Sequence, residues 1–294
     1  MFAFIRNFLN GLAFGITETI PGVSGGTIAI ILGFYAELIE TVNHFFENKL
    51  KYMKFLVPLM LGATSGILFF SSVIHYLLEN HSFPTWMFLI GLIVGITPLV
   101  FLKIKASDGK IEIREVLLML IPIAILIIIS CIKEPASNPE ELFNSINFNH
   151  MFFLFTAGII AAAALVLPGV SGSFVLVLLG LYPLIIYSLK QISIWITQTS
   201  DFALVMDICK ILVPFAIGAI IGGLTMARLV EKLLKNYTKI IYSIILGLLS
   251  GSIVVLFKAP EVYKSGVSPT IIIFGVATLA LGCLLSFNIG RRHL

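Results

Sequence analysis

A six-residue phrase that interrupts apolar sequence occurs twice in this chain. Pro21–Gly26 reads Pro-Gly-Val-Ser-Gly-Gly, and Pro168–Ser173 reads Pro-Gly-Val-Ser-Gly-Ser, 147 positions later in a chain of 294 residues. The similarity continues, because eight of fifteen positions are identical between Pro21–Tyr35 and Pro168–Tyr182. Proline disrupts helices and glycine permits unusual backbone angles. The phrase therefore predicts two helix breaks at equivalent positions of an internally repeated chain.

The composition is that of a polytopic membrane protein. Hydrophobic residues make up 59% of the chain, charged residues 12%, and the mean hydropathy is +1.06. Soluble domains carry about 25% charged residues. The net charge of +4 is therefore interpreted as loop topology and not as nucleic-acid binding. In such proteins, paired helix breaks mark a transporter's binding site.

Ten apolar segments, five in each half, give the predicted organisation. The repeat extends beyond the phrase, since Lys54–Gly66 and Lys210–Gly222 share seven of thirteen residues. The segments are 7–20, 27–46, 55–78, 84–102, 115–132, 150–167, 173–197, 208–228, 240–258 and 269–288. An odd number of segments per half predicts two repeats of inverted topology. With both termini in the cytoplasm, fourteen of the 19 Lys and Arg residues lie on the inner side.

The first segment is short for a full crossing. The segment at 7–20 has only about 14 residues, or ~21 Å of helix, whereas a span needs about 20 residues. We therefore predict re-entrant hairpins at 7–46, with its tip at 21–26, and at 150–197, with its tip at 168–173. The predicted fold is an all-α polytopic membrane protein of two inverted repeats, each a broken-helix hairpin followed by three transmembrane helices. The repeats occupy 1–133 and 150–294, joined by an outer linker at 134–149.

Both tips have the residues of an anion site. Prolines and glycines form the turns, and a serine then occupies the N-cap position of the next helix, where free N–H groups and the helix dipole favour an anion. We predict hairpin tips at Pro21, Gly22, Pro168 and Gly169, and a phosphate cradle of Ser24, Gly25, Gly26, Thr27, Ser171, Gly172 and Ser173. The alternative is that these small residues are packing kinks that let helices cross closely.

Four further positions are charged candidates. Glu18 is an acid deep in the first hairpin, where the second has Leu165, and intramembrane carboxylates are costly and often functional. An anion site requires Glu18 to be protonated or paired with a cation, so we predict a coupling or gating role; hydrogen bonding to exposed backbone is the alternative. Lys54 and Lys210 are candidate headgroup gates or snorkelling lysines. Glu37 is predicted at the inner headgroup level, solvated or facing a lateral entrance.

Both signatures resemble those of the polyprenyl-phosphate transporter family. The resemblance rests on Gly15–Thr27, Leu32–Tyr35 and Glu37 in the first half, and on Pro168–Phe174 and Leu179–Tyr182 in the second. It implies a bacterial plasma-membrane protein that returns undecaprenyl phosphate from the outer to the inner leaflet by alternating access. The implied partners are this lipid and the bilayer, and no nucleic acid. We expect no catalytic residue, metal or cofactor. Coupling to H⁺ or Na⁺ is left open.

Two other functions remain as alternatives. The first phrase also resembles the signature of undecaprenyl-pyrophosphate phosphatases, but that family's glutamate, histidine and arginine are replaced here by Phe14, Thr27 and Gly172. Phosphate-ester hydrolysis would then lack its usual groups. The third function is transport of a small soluble anion by a secondary transporter or channel. The sequence contains no Walker loop, which argues against an ATP-driven pump.

Overall fold

The structure is a computed structural model that describes residues 2–18, 24–108, 112–131, 139–197, 202–264 and 268–292. Within these ranges every regular element is a helix, and no strand occurs. The helices are α1 Phe2–Glu18, α2 Gly25–Ile31, α3 Tyr35–His44, α4 Lys49–Asn80, α5 Ser82–Asp108, α6 Ile113–Ser130, α7 Pro139–Asn144, α8 Phe148–Val166, α9 Gly172–Leu178, α10 Tyr182–Thr197, α11 Phe202–Asn236, α12 Thr238–Lys258 and α13 Pro269–Arg291, with a 3-10 turn at Pro260–Tyr263.

The helices confirm the predicted class of an all-helical, multi-pass membrane protein. In the described part of the chain, six helices are long and apolar enough to cross a membrane, and eight spans result if each of two bent helix pairs counts as one. The six are α4, α5, α8, α11, α12 and α13. The predicted span at 115–132, which is α6, is not among them, whereas α8, predicted as a hairpin arm, is.

The segments predicted as continuous at 27–46 and 173–197 are each broken, which corrects that prediction. The first becomes α2 and α3, bent by 119°, and the second becomes α9 and α10, bent by 111°. Gly33 and Gly180 lie at the breaks with φ of 76° and 69°, left-handed angles that glycine adopts without steric cost. The repeated Leu-Gly-x-Tyr sequence is therefore a second helix break in each hairpin.

Helices α1 and α4 pack together through glycines. A Cβ atom added at Gly11 would clash with the carbonyl oxygen of Leu59, and one at Gly15 would clash with that of Ala63. Small residues of this kind let membrane helices approach at backbone distance. Because the contacts advance in the same direction along both helices, α1 and α4 run parallel.

The parallel pair fixes the course of the first hairpin. The chain between the two helices must return to the end at which α1 begins, as both a re-entrant hairpin and a pair of full spans would, so the re-entrant form stays a prediction. Beyond the level of Glu18, α4 continues for about three more turns. Helix α1 therefore ends part-way along α4.

Helices α8 and α11 form the equivalent pair in the second half. Gly218 lies against the carbonyl of Phe155, and Gly222 lies against that of Ile159. These are the repeat counterparts of the contacts that Gly62 makes with Phe8 and Gly66 makes with Leu12. The repeat in the sequence is thus matched by equivalent helix pairs, while the inverted orientation of the repeats stays a prediction.

The other long helices also pack at glycines. Gly91 and Gly95 of α5 lie against Leu279 and Cys283 of α13. In the same way, Gly247 of α12 lies against Met119 of α6. Gly91 and Gly247 are repeat counterparts, so α5 and α12 are equivalent helices, each packed against a helix from the other half of the chain.

The chain divides into two compact units that are discontinuous in sequence. The first unit comprises residues 1–128, 167–170 and 228–294, and the second comprises 129–166 and 171–227. The first unit therefore contains helices from both predicted repeats, together with the turn Leu167–Val170. The predicted repeat boundaries at 1–133 and 150–294 describe homology along the chain and stay a prediction.

Candidate functional site

The backbone N–H groups at the start of α2 already have acceptors within the chain. Ser24 is the N-cap residue, and its hydroxyl accepts a hydrogen bond from the Gly26 N–H at 3.2 Å. The Glu18 carboxylate, at the end of α1, accepts one from the Gly25 N–H at 3.1 Å. The Thr27 N–H donates to the Ser24 carbonyl at 2.9 Å. The predicted tip residues Pro21 and Gly22 lie outside the described residues.

The turn of the second phrase contacts the helix of the first. The Gly169 N–H donates a hydrogen bond to the Thr27 hydroxyl at 3.0 Å. A Cβ atom added at Gly26 would lie 3.3 Å from the Cα of Pro168. Thr27 is 1% exposed and Ser24 is 2% exposed. Within the first unit, the structure therefore brings Gly26 and Thr27 against Pro168 and Gly169.

Gly169 occupies a position that only glycine fits. Its φ is +89°, a left-handed angle at which a side chain is strained. An added Cβ atom would also lie 2.9 Å from the backbone of Leu248 and Leu249 in α12. The turn is thus pressed against α12, and this close approach explains the glycine in the second phrase.

The serines of the second phrase belong to the second unit and are arranged differently. Ser171 lies at the N-cap position of α9, but its hydroxyl makes no cap hydrogen bond. It lies instead 2.7 Å from the Ser173 hydroxyl and is 5% exposed. Gly172 lies close to the Ala161 carbonyl. The cap interactions of α2 therefore have no counterpart at Ser171.

The Glu18 contact has a chemical consequence for the first phrase. The Glu18 carboxylate lies at the helix start, where N–H groups and the dipole favour negative charge. The Gly25 and Gly26 N–H groups are already paired in this conformation. A bound phosphate would have to exchange with the Glu18 carboxylate and the Ser24 hydroxyl.

The predicted gate residues lie on α3, α4 and α11. Glu37 is exposed on α3, with a carboxylate oxygen 3.9 Å from the Arg6 guanidinium. Lys54 is exposed on α4. The Lys210 ammonium pairs with Asp207 at 2.8 Å, and Lys210 lines an apolar groove of about 530 Å³ formed by α8 and α11.

A polar cluster at the end of α3 was not predicted from the sequence. Glu231 of α11 accepts hydrogen bonds from Asn43 at 2.6 Å and from His44 at 2.9 Å. These partners are 188 and 187 positions apart in the chain, so no local motif connects them. The sequence signal available was limited to a charged residue in the last turns of a long apolar helix.

Comparison with known proteins gives the family. Residues 14–270 match a protein-family model described as VCA0040-like, undecaprenyl phosphate translocase-like. The chain belongs to this family. The match covers both signatures, and it confirms the resemblance that the sequence indicated.

Two curated relatives support the same assignment. A protein of Staphylococcus aureus named polyprenyl-phosphate transporter is 28% identical over 288 residues, covering 97% of this chain and 95% of the relative. A protein of Vibrio cholerae with the same name is 29% identical over 266 residues, covering 85% of this chain and 76% of the relative. No solved structure is significantly similar to the chain. The relatives' names denote transporters, which is consistent with a protein that is not an enzyme.

Proposed function

We propose that this protein transports polyprenyl phosphate across a membrane, with undecaprenyl phosphate as the substrate. The observation that carries the proposal is the family match over residues 14–270, together with two relatives named polyprenyl-phosphate transporter. The substrate combines a phosphate headgroup with a long apolar tail. Transport therefore needs a polar site for the head inside a protein whose outer surface accepts the tail.

The headgroup site is proposed at the paired signature turns. In the first unit, Ser24, Gly25, Gly26 and Thr27 present amide and hydroxyl groups at the start of α2, and Gly169 contacts Thr27. Amide donors at a helix start suit a phosphate. The predicted cradle also includes Ser171, Gly172 and Ser173, and the Ser171 and Ser173 hydroxyls lie 2.7 Å apart.

Glu18 is proposed to exchange with the substrate. Its carboxylate accepts from Gly25 N–H in the conformation described here. Because two negative groups at one helix start repel each other, phosphate binding is favoured when Glu18 is protonated or paired with a cation. Glu18 would then couple substrate binding to H⁺ or Na⁺.

The remaining details of the transport cycle are part of the same proposal. The protein is assigned to the bacterial plasma membrane with both termini in the cytoplasm, and it moves the lipid from the outer to the inner leaflet by alternating access. Lys54 and Lys210, as repeat partners, would attract headgroups at opposite faces, with Glu37 beside a lateral entrance. Each role follows from charge and sequence position.

The test is a liposome assay with the purified protein and undecaprenyl phosphate. The rate at which the headgroup becomes accessible from the opposite leaflet is measured, alongside inorganic phosphate release from undecaprenyl pyrophosphate and uptake of free phosphate. Faster headgroup exposure without the other two activities is expected. Phosphate release would indicate a phosphatase, and free phosphate uptake would indicate a small-anion transporter; either result without lipid exposure overturns the proposal.

A variant pair locates the site. Ser24→Ala combined with Ser171→Ala removes two cradle hydroxyls and is expected to reduce headgroup exposure. Gly223→Ala is the control, because its added Cβ meets only the Cβ of Ala162, at 3.8 Å, an ordinary contact. If both variants expose the headgroup at equal rates, Ser24 and Ser171 do not form the phosphate cradle.

A further inference from the structure

A single carboxylate ties the end of α3 to the end of α11. Glu231 Oε2 accepts from Asn43 Nδ2 at 2.6 Å, and Oε1 lies 2.9 Å from His44 Nε2. Lys235, one turn further along α11, donates to the same Oε1 atom. The Glu231 side chain is 13% exposed. Breaking such a set would leave a poorly solvated charge without its donors, so these bonds hold the two helix ends together.

His44 lies between two acceptors. Its Nε2 atom faces Glu231, and its Nδ1 atom lies 2.7 Å from Glu47 Oε1. Neutral imidazole has one donor and one acceptor nitrogen, whereas an ionised carboxylate only accepts. Both contacts are therefore hydrogen bonds only when His44 carries two protons. In the neutral form, one nitrogen lone pair would face a carboxylate oxygen.

The surrounding charges balance in the same protonation state. On α4, Lys51 pairs with Glu40 of α3 at 3.0 Å, and the Tyr52 hydroxyl donates to the same carboxylate at 3.1 Å. With His44 protonated, three carboxylates face three cations. The carboxylates are Glu40, Glu47 and Glu231, and the cations are His44, Lys51 and Lys235. Loss of the His44 proton leaves one negative charge in excess.

The cluster acts on the arm that carries the first signature. Helix α3 follows α2 through a hydrogen-bonded turn, in which the Phe34 N–H donates to the Ala29 carbonyl at 2.9 Å. At its other end, α2 carries Thr27, which binds Gly169. The arm α2–α3 is thus joined to the signature turn at one end and to Glu231 at the other.

We propose that Asn43, His44 and Glu231 form a proton-dependent latch that positions the α2–α3 arm, and that the latch opens during transport. The transport part of this inference rests on the proposed function. The closed latch binds one proton more tightly than the open one, since only the closed form faces His44 with two carboxylates. Acidic conditions therefore favour the closed latch, and the closed state is lost as the pH rises through the titration of His44.

The direct test is a titration of His44 by ¹⁵N NMR of the histidine-labelled full-length protein in nanodiscs. The His44 signal is identified by its absence in His44→Gln. Removing one nearby opposite charge shifts such a titration by about 1 pH unit or more, so Glu231→Gln is expected to lower the His44 midpoint by about that amount. Glu112→Gln, the same change at an exposed residue of another segment, is the control and should leave the midpoint unchanged.

The second readout is the pH profile of headgroup exposure in liposomes. Glu231→Gln is expected to displace the profile toward lower pH by the same amount as the NMR midpoint, whereas Glu112→Gln keeps the wild-type profile. An unchanged His44 midpoint in Glu231→Gln overturns the latch itself. A shifted midpoint with an unshifted transport profile overturns its role in transport. Wild-type protein that exposes no headgroup would refute the proposed function, while the NMR result would still decide the latch.

Discussion

Adjacent glycines in α11 allow a sharp test of the helix packing. Gly222 lies against the backbone of Ile159, and an added Cβ atom would come within 3.0 Å of its Cα and carbonyl atoms. At Gly223 the nearest neighbour of an added Cβ atom is the Cβ of Ala162, at 3.8 Å, an ordinary contact. The same Gly→Ala substitution should therefore have opposite effects at neighbouring positions.

The expected magnitudes follow from the two geometries. Overpacking a close contact lowers the free energy of unfolding by about 1–3 kcal/mol. Replacing a helical glycine by alanine raises it by about 0.5–1 kcal/mol. Gly222→Ala should thus destabilise the protein by about 1–2 kcal/mol, because α8 and α11 must separate. Gly223→Ala should stabilise it by about 0.5–1 kcal/mol. A difference of about 2 kcal/mol corresponds to roughly 30-fold in the unfolding equilibrium.

The assay is reversible unfolding in mixed micelles, followed by helicity. Gly66→Ala provides the matched variant in the first half, since Gly66 packs against the carbonyl of Leu12. It should behave like Gly222→Ala. If Gly222→Ala and Gly223→Ala change the free energy of unfolding equally, the close approach of α8 and α11 is wrong.

Three further predictions concern the signature turns. Thr27→Val should lower the free energy of unfolding by about 1–3 kcal/mol, because it leaves the buried Gly169 N–H without its acceptor. Thr27→Ser keeps the hydroxyl and should lower the free energy of unfolding by less. Equal losses of stability for the two variants in thermal unfolding would count against the hydrogen bond. Ser24→Ala should cost about 0.5–2 kcal/mol through loss of the α2 cap, and an unchanged melting temperature would show that the cap contributes nothing. Glu18→Gln keeps an oxygen for the Gly25 N–H, so the protein should fold normally, while headgroup exposure should lose the part of its pH dependence that Glu18 contributes; a wild-type pH profile would refute the switch.

Much of the fold could be predicted because its signals are local or repeated. Apolar runs gave helices close to α5, α12 and α13, and the double phrase located the turn at Gly169. The Leu-Gly-x-Tyr sequence at Gly33 belongs to the same repeat, but the break there was not predicted. The residue type alone does not show that this glycine adopts a left-handed backbone angle. The short helix α7 lies in the predicted linker 134–149, where six residues carry too little periodicity to predict a helix.

The candidate site could be predicted only in part, for a physical reason. Residue types at the turn indicate which groups can bind an anion, but not which groups already bind each other. The Glu18 contact with Gly25 and the Thr27 contact with Gly169 depend on how helices pack. The Glu231 cluster depends on the same long-range packing, so its partners could not be found from spacing along the chain.

The hydrogen bond from Gly169 to Thr27 bears on how a duplicated chain has diverged. Thr27 corresponds to Phe174 in the second copy, and Gly169 corresponds to Gly22 in the first. Phenylalanine has no hydroxyl, so the reciprocal bond cannot form, and only the first copy supplies the acceptor side chain. A dimer of two second halves would lack this bond, whereas a dimer of two first halves retains both residue types. The hydrogen bond therefore depends on a position at which the two copies differ, since Thr27 supplies a hydroxyl where Phe174 cannot.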